Sequence, residues 1–582
     1  MFTKPRAFTF CNFVNFLLLF SLIQTTGLAS GARQQPQRER RVATPAIVEA
    51  TPTPSPVPTA SPNPGRSVIT DVPQASPSPT PDVAQVRVPS TTRSLAELQA
   101  RISGVLRKPE LAPAMIGIKV MSLETGEVLF EQNAEKLLRP ASNLKLYTVA
   151  AALDRLSPDY HFVTSVYAPA KSDSNGVVRG DLTIYGRGDP SIAARFNSGN
   201  YFKGIDDLAA RIAAAGVKRV EGDLVGDETY FTGPQYGAGW EWEDLQWWYG
   251  AEVSALTVND NALDLSVKPG AQVGNPAVII TGPPDPLLTI VNKVVTAARG
   301  TKRDITVHRE LASDRLEITG SIALDDRGYS AGVGISQPAL LFAYLLRASL
   351  AQRGVTIKGK TRTVAARWSG GIIARPLLKL AALNVPVSPV EIASMQSVPL
   401  GIIAAQTLKP SQNLYTELIL RTLGTAVPQQ STSASLNRTS ETAGIDVVKT
   451  FLREAGVAPS SVVLSDGSGL SRNDMVTAEA TLQLLTYMHR HRYASVFRSA
   501  LPIAGVDGTL RNRFKGTAAE NNLRAKTGSL SSAASLSGYL TTAAGENLVF
   551  SIMVNNFPED IEPRAVCIDP IAVLLASFAG KS

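Results

Sequence analysis

From about Gly31 to Arg93 the chain alternates proline with serine and threonine, as in Thr51-Pro52-Thr53-Pro54-Ser55-Pro56-Val57-Pro58 and again over Ser76 to Pro81. A stretch with so few apolar clusters buries no core and favours extended polyproline conformations. Any globular fold in this 582-residue chain must therefore begin near Ser94. The chain beyond Ser94 is long enough for more than one core. Ahead of the proline stretch, Lys4 and Arg6 precede an apolar run from Phe8 to Ile23 and small residues ending near Ala32. That order predicts a secretory signal over 1–32 and a spacer over 33–93. The apolar run is short for a stable span. An uncleaved anchor, giving peripheral membrane association, is the alternative. The chain is expected to be exported, to the periplasm or facing the cell envelope.

The chain is 44% hydrophobic and 18% charged, a balance suited to globular packing. The net charge of +8 suits an anionic envelope surface but is modest for this length, and no nucleic-acid footprint rises above it. Cys11 falls in the leader, which leaves Cys567 as a lone thiol in an apolar stretch, expected in the core. Nothing in the sequence sets an oligomeric state.

Leu95, Leu98, Ile102 and Leu106 have helical spacing behind Ser94 as a cap. Met115 to Ser122 and Glu127 to Asn133 read as paired strands, and Pro140-Ala141-Ser142 opens a helix to about Leu156. Residues 166–330 are rich in short strands and glycine turns and read as one or two inserted β-rich domains. Helical patterns return after Pro338 and near 387–408, 412–424, 442–455 and 477–491. Strands are expected at Leu523–Leu530, Ala534–Thr541 and Asn547–Asn555, then a helix near 563–579. The expectation is an α+β domain formed by residues 94–165 and 331–582, interrupted by the insertion.

Three short motifs stand in order: Ser142-Asn143-Leu144-Lys145, Ser411-Gln412-Asn413 and Lys526-Thr527-Gly528. Residues three apart on a helix share a face, which brings Lys145 to Ser142. A serine hydroxyl needs a base, and a lysine serves only when its amine is neutral. Burial and a second positive charge, Lys526, both disfavour the ammonium. Ser411 could relay a proton to a leaving amine and Asn413 could hold a substrate amide. Backbone N–H groups of Ser142 and Ser529 could cradle an oxyanion, while Lys526 and Thr527 met a terminal carboxylate. Taken singly, each motif also reads as an ordinary helix cap or strand end. His161, His308, His489 and His491 lack zinc-helix spacing, so no metal or cofactor is expected. His489 and His491 read as surface residues.

With Arg139-Pro140-Ala141, Asp466-Gly467-Ser468-Gly469-Leu470-Ser471-Arg472 and Ser529-Leu530 added, the sequence resembles the class C low-molecular-mass penicillin-binding proteins. These are D-alanyl-D-alanine carboxypeptidases and endopeptidases. The resemblance implies a serine β-lactamase/transpeptidase-like fold and an acyl-enzyme on Ser142. It also implies peptidoglycan stem peptides as substrates and β-lactams as inhibitors. Gly239-Trp240-Glu241-Trp242-Glu243-Asp244 matches the family's Gly-Trp-x-Trp-x-Asp pattern. By that match Asp244 would hold the amino group of a diaminopimelyl side chain, Tyr249 would pack on it, and Arg472 would pair with its carboxylate. The alternative is that Trp240, Trp242, Trp247 and Trp248 form a hydrophobic cluster beneath a loop. Two other activities compete with the peptidase reading: a non-catalytic peptide-binding protein, and a β-lactamase, for which no water-activating base is evident.

Overall fold

The computed structural model describes residues 92–310, 313–369, 372–374, 389–428 and 438–582. The leader and spacer lie outside them. Both ends of the described chain build one five-stranded antiparallel sheet, in the order Val128–Gln132, Met115–Ser122, Asn547–Asn555, Ala533–Thr541, Arg524–Leu530. Ile118 pairs with Ile552 and Val120 with Phe550, so the sheet joins residues more than four hundred positions apart. Strands Ala533–Thr541 and Asn547–Asn555 are buried almost throughout because both faces are covered. Phe550, Ile552 and Leu536 enter one core with Leu98, Ile102 and Ile571. Val549, Met553 and Tyr539 enter another with Leu146, Val149 and Leu484. Strand alternation thus feeds two helical layers.

Local chemistry sets the helix ends. Ser94 Oγ accepts from Glu97 N and starts Leu95–Leu106, and Thr477 caps Ala478–Arg490 in the same way. Cys567 is fully buried, and burial pushes its thiol up to about 12, as a packing residue requires.

A six-stranded mixed sheet runs Ile372–Ala374, Thr361–Ser369, Leu224–Thr232, Leu182–Tyr185, Val163–Ala168, Val390–Gln396. Two smaller three-stranded sheets, drawn from residues 262–334, share its core. Three expectations change here. The β-rich stretch also contains a helix, Lys203–Ala214, which buries Ile205, Leu208 and Ile212 at helical spacing. The insertion does not close near 330. Pro338–Gln352 packs on Leu224–Thr232 and puts Leu341, Phe342 and Leu346 into that sheet's core, while Thr361–Ser369 pairs with Leu224–Thr232 as a parallel strand. The helix expected over 387–408 is a strand, Val390–Gln396, and a shorter helix, Leu400–Leu408; its first two residues lie outside the described residues. The open edge at Val163–Ala168 takes 390–396 as a strand, and Pro399 then starts the helix.

His491 also differs from expectation. Its side chain is only 7% exposed and its Nε2 lies 3.0 Å from Asp154 Oδ1. The helix end at Arg490 turns the ring inward beneath Tyr493.

Candidate active site

Pro140 leads into a tight 3₁₀ turn, Ala141–Leu144, that continues as the helix Lys145–Leu156. Ala141 adopts a left-handed backbone, φ 48°, and so does Ser411, φ 66°. Such strain in non-glycine residues persists where surrounding contacts fix it. Two glycines show what fixes it. A Cβ on Gly528 would stand 2.5 Å from the Pro140 carbonyl oxygen, and one on Gly469, φ 77°, 2.0 Å from that of Ala141. The strand after Lys526 and the turn after Asp466 therefore press directly on the Ser142 turn. Asn143 adds a tie to the sheet, donating from Nδ2 to Ser537 Oγ at 2.7 Å.

Lys145 is wholly buried. Its Nζ lies 2.9 Å from Ser142 Oγ, 2.5 Å from Asn413 Oδ1 and 2.7 Å from the Ser468 carbonyl. Burial brings its pKa down to about 7, against the opposing pull of Asp466, Glu417 and Asp474. Lys526 is equally buried, and Nζ donates to Ser411 Oγ and to the Thr527 carbonyl, each at 2.9 Å. Burial first, then the charge of Lys145, holds Lys526 well below the ordinary lysine range. The sequence expected burial and the Lys526 charge together to disfavour the Lys145 ammonium; in the fold burial is the cause that lowers it. Ser142 and Ser411 are half-buried, Thr527 donates to Thr509 Oγ1 at 2.8 Å, and Ser529 is exposed at the end of the same strand. Five of the sequence-selected residues thus form two hydrogen-bonded groups, Ser142–Lys145–Asn413 and Ser411–Lys526, linked through the short segment that carries both Ser411 and Asn413.

Asn413 also reaches the inserted segment, donating from Nδ2 to the Tyr249 carbonyl at 2.8 Å. Asp244 is 7% exposed and accepts from Arg472 Nη1 at 3.0 Å, while Arg472 Nε pairs with Glu241 at 2.7 Å. Burial raises the Asp244 carboxyl, with Arg472 opposing. Burial and nearby Asp244 push the Tyr249 phenol up to about 12. The four tryptophans do not cluster. Trp240 Nε1 donates to Asp466 Oδ2, Trp242 is 63% exposed, Trp247 bridges to Val333, and Trp248 covers Gly332 beside the Tyr249 ring.

Several residues of the site carry no motif signal in the sequence. Glu241, one turn before Asp244, shares its arginine. Glu417 lies four residues after Asn413, on the same helix face, and accepts from Gly467 N at 3.0 Å. Burial and the Asp466 charge hold Glu417 well above the usual carboxylate range, and the same causes hold Asp474 there. The i, i+4 spacing was the available signal for Glu417. A cavity of about 700 Å³ lies elsewhere, lined by Lys119, Asp154, Glu479 and His491 among others. Along its wall Lys119 pairs with Glu479, and His491 Nε2 lies 3.0 Å from Asp154 Oδ1.

The sequence profile of the D-Ala-D-Ala carboxypeptidase 3 (S13) family matches residues 98–578. The D-alanyl-D-alanine carboxypeptidase of Actinomadura sp. is 35% identical over 499 residues, covering 84% of this chain and 86% of the relative. The D-alanyl-D-alanine carboxypeptidase DacB of Haemophilus influenzae is 25% identical over 460 residues, 77% of this chain and 87% of the relative. Among solved structures, penicillin binding protein 4 (dacB) from Haemophilus influenzae superposes with a TM-score of 0.67 at 22% identity, over 82% of this chain and 99% of that one.

Proposed function

The chain belongs to the D-Ala-D-Ala carboxypeptidase 3 (S13) family, and from that membership we propose that Ser142, activated by Lys145, is the nucleophile of its peptidase reaction. It is a serine-type D-alanyl-D-alanine carboxypeptidase, a hydrolase, and a low-molecular-mass penicillin-binding protein. The observation that carries the residue assignment is the surroundings of Lys145 Nζ. A neutral amine has two hydrogens and one lone pair. Asn413 Oδ1 and the Ser468 carbonyl take the two hydrogens, which leaves the lone pair for the Ser142 hydroxyl proton. No other partner is needed and none is left over.

Lys145 accepts the proton as Ser142 Oγ bonds to the carbonyl carbon of the penultimate D-alanine. The developing oxyanion meets the N–H groups of Ser142 and Ser529. Ser411, held by Lys526, relays to the departing amine the proton that Lys145 took from Ser142, accepting one as it gives one up; the C–N bond breaks and terminal D-alanine leaves. Water then cleaves the ester by the same groups in reverse. Lys526 and Thr527 receive the substrate's terminal carboxylate. Gly528 must be glycine for the strand to approach the Ser142 turn at all.

Asp244, Tyr249 and Arg472 form the site for the peptide's side chain. Asp244 and Arg472 face each other as an ion pair. A side chain ending in both an ammonium and a carboxylate can replace that pair, the ammonium against Asp244 and the carboxylate against Arg472. This suits a diaminopimelyl group and extends the substrate to cross-linked stem peptides, cut as an endopeptidase. Such substrates lie outside the cytoplasmic membrane, which supports an exported protein, as the leader-like segment does. No described helix is long and apolar enough to cross a membrane.

The test is intact mass measurement after brief exposure to benzylpenicillin, with D-alanine release from a pentapeptide measured in parallel. A persistent single adduct on Ser142 is expected, with both activities lost in Ser142→Ala. An adduct of equal yield in the variant would overturn the assignment.

A further inference from the structure

The turn Asp466-Gly467-Ser468-Gly469-Leu470-Ser471-Arg472 supplies two parts of the site from its two ends. Its Ser468 carbonyl accepts from Lys145 Nζ, and its Arg472 guanidinium reaches Asp244 and Glu241. What joins the two ends is Asp466, a side chain only 1% exposed. Oδ1 accepts from the amides of Ser468 at 3.0 Å and Gly469 at 2.7 Å. Oδ2 accepts from the amides of Leu470 at 3.1 Å and Ser471 at 3.0 Å, and from Ser468 Oγ at 3.0 Å. The same oxygen accepts from Trp240 Nε1 at 2.8 Å, in the inserted segment four residues before Asp244. Every amide from 468 to 471 is thus bound to one carboxylate. Behind it, Glu417 fixes Gly467 N and Asp474 Oδ1 accepts from Ser465 N.

We infer that Asp466 is a positioning residue that sets the Lys145 acceptor and the Arg472 side-chain site as one rigid unit, so that side-chain recognition and serine activation are coupled. This deepens the peptidase reading above and rests on it. A turn held this way has little freedom to move one end alone. Displacing Arg472 or Trp240 shifts the Asp466 carboxylate, and with it the Ser468 carbonyl that orients the Lys145 amine. A peptide whose side chain seats correctly against Asp244 and Arg472 therefore gains in the chemical step as well as in binding.

The experiment compares two D-alanyl-D-alanine peptides, one with a side chain ending in a free amine and carboxylate, the other with that amine acetylated. Both kcat and KM are measured, together with the benzylpenicillin acylation rate and the melting temperature. In Asp466→Asn one oxygen becomes an NH2 that faces N–H donors. The expected result is a fall of at least tenfold in the kcat ratio of the two peptides, accompanied by slower benzylpenicillin acylation. A ratio of kcat values equal to that of the unaltered enzyme, whatever the absolute rates, overturns the inference, since a merely structural role lowers both peptides alike. Should Asp466→Asn fail to fold, Trp240→Phe, which removes one of the six hydrogen bonds, decides instead. A lowered kcat ratio supports the coupling and an unchanged one overturns it. An unaltered enzyme that forms no benzylpenicillin adduct sinks the serine reading itself, a failure distinguishable from the loss of selectivity alone.

Discussion

Acylation of Ser142 should depend on pH through Lys145, and the structure sets the size of the effect. Burial lowers the Lys145 pKa from 10.5 to about 7. At pH 7 an ordinary lysine is neutral in about three molecules in ten thousand, whereas Lys145 is neutral in about half. Burial therefore enlarges the reactive population roughly a thousandfold, equivalent to about 4 kcal/mol. Stopped-flow acylation by a chromogenic β-lactam, read from pH 5 to 9, should rise tenfold per pH step below about 6.5 and level off above about 7.5. Lys145→Arg keeps a charge at every accessible pH and should lower acylation by roughly a thousandfold or more. The same shift has a stability signature of known sign. Between about pH 7 and 10.5 the folded state holds fewer protons at Lys145 than the unfolded chain does, so this group makes stability rise with pH across that window. An acylation profile flat from pH 5 to 9, or one with its inflection above pH 9, would refute the assignment of Lys145 as a buried, neutralised base.

Asn413→Ala removes one acceptor of Lys145 Nζ and the tie to the Tyr249 carbonyl; acylation should fall by about thirtyfold to a hundredfold, for about 2–3 kcal/mol lost, measured with the same β-lactam. Gly528→Ala places a Cβ 2.2 Å from Ser535 Oγ and 2.5 Å from the Pro140 carbonyl. Urea denaturation should show a loss of about 1–3 kcal/mol, together with loss of the benzylpenicillin adduct. Glu417, held well above the usual carboxylate range by burial, keeps a proton in the folded state that the unfolded chain has lost, so it makes stability fall as pH rises above 4.5. Glu417→Gln should flatten that decline, seen by comparing denaturation midpoints at pH 5 and pH 8. Arg472→Ala leaves Asp244 buried without its partner, and kcat/KM for a peptide with a free side-chain carboxylate should drop by about tenfold to a hundredfold, read from D-alanine release.

The sequence alone determined the parts whose information is local. Ser142 and Lys145 lie on one turn, so spacing placed them together without knowledge of the rest of the fold. The three C-terminal strands were legible because their apolar runs and glycine turns are local signals, and the Ser94 cap was legible from one side-chain oxygen. Asp466 stood inside a motif that could be read, but its task could not. Its six donors include an indole more than two hundred residues upstream, and only the folded chain brings Trp240 to it. The identity of Val390–Gln396 was likewise undecided locally. Its pattern tolerates a helix, and the open edge at Val163–Ala168 made it a strand. The cause of the Lys145 shift also needed the fold. Sequence placed a second cation nearby, but the degree of burial around an amine depends on the helices and sheet packed over it, and these come from distant segments. Periodicity and spacing fix which residues share a face. Tertiary packing alone decides what that face meets, how dry it is, and therefore which proton moves.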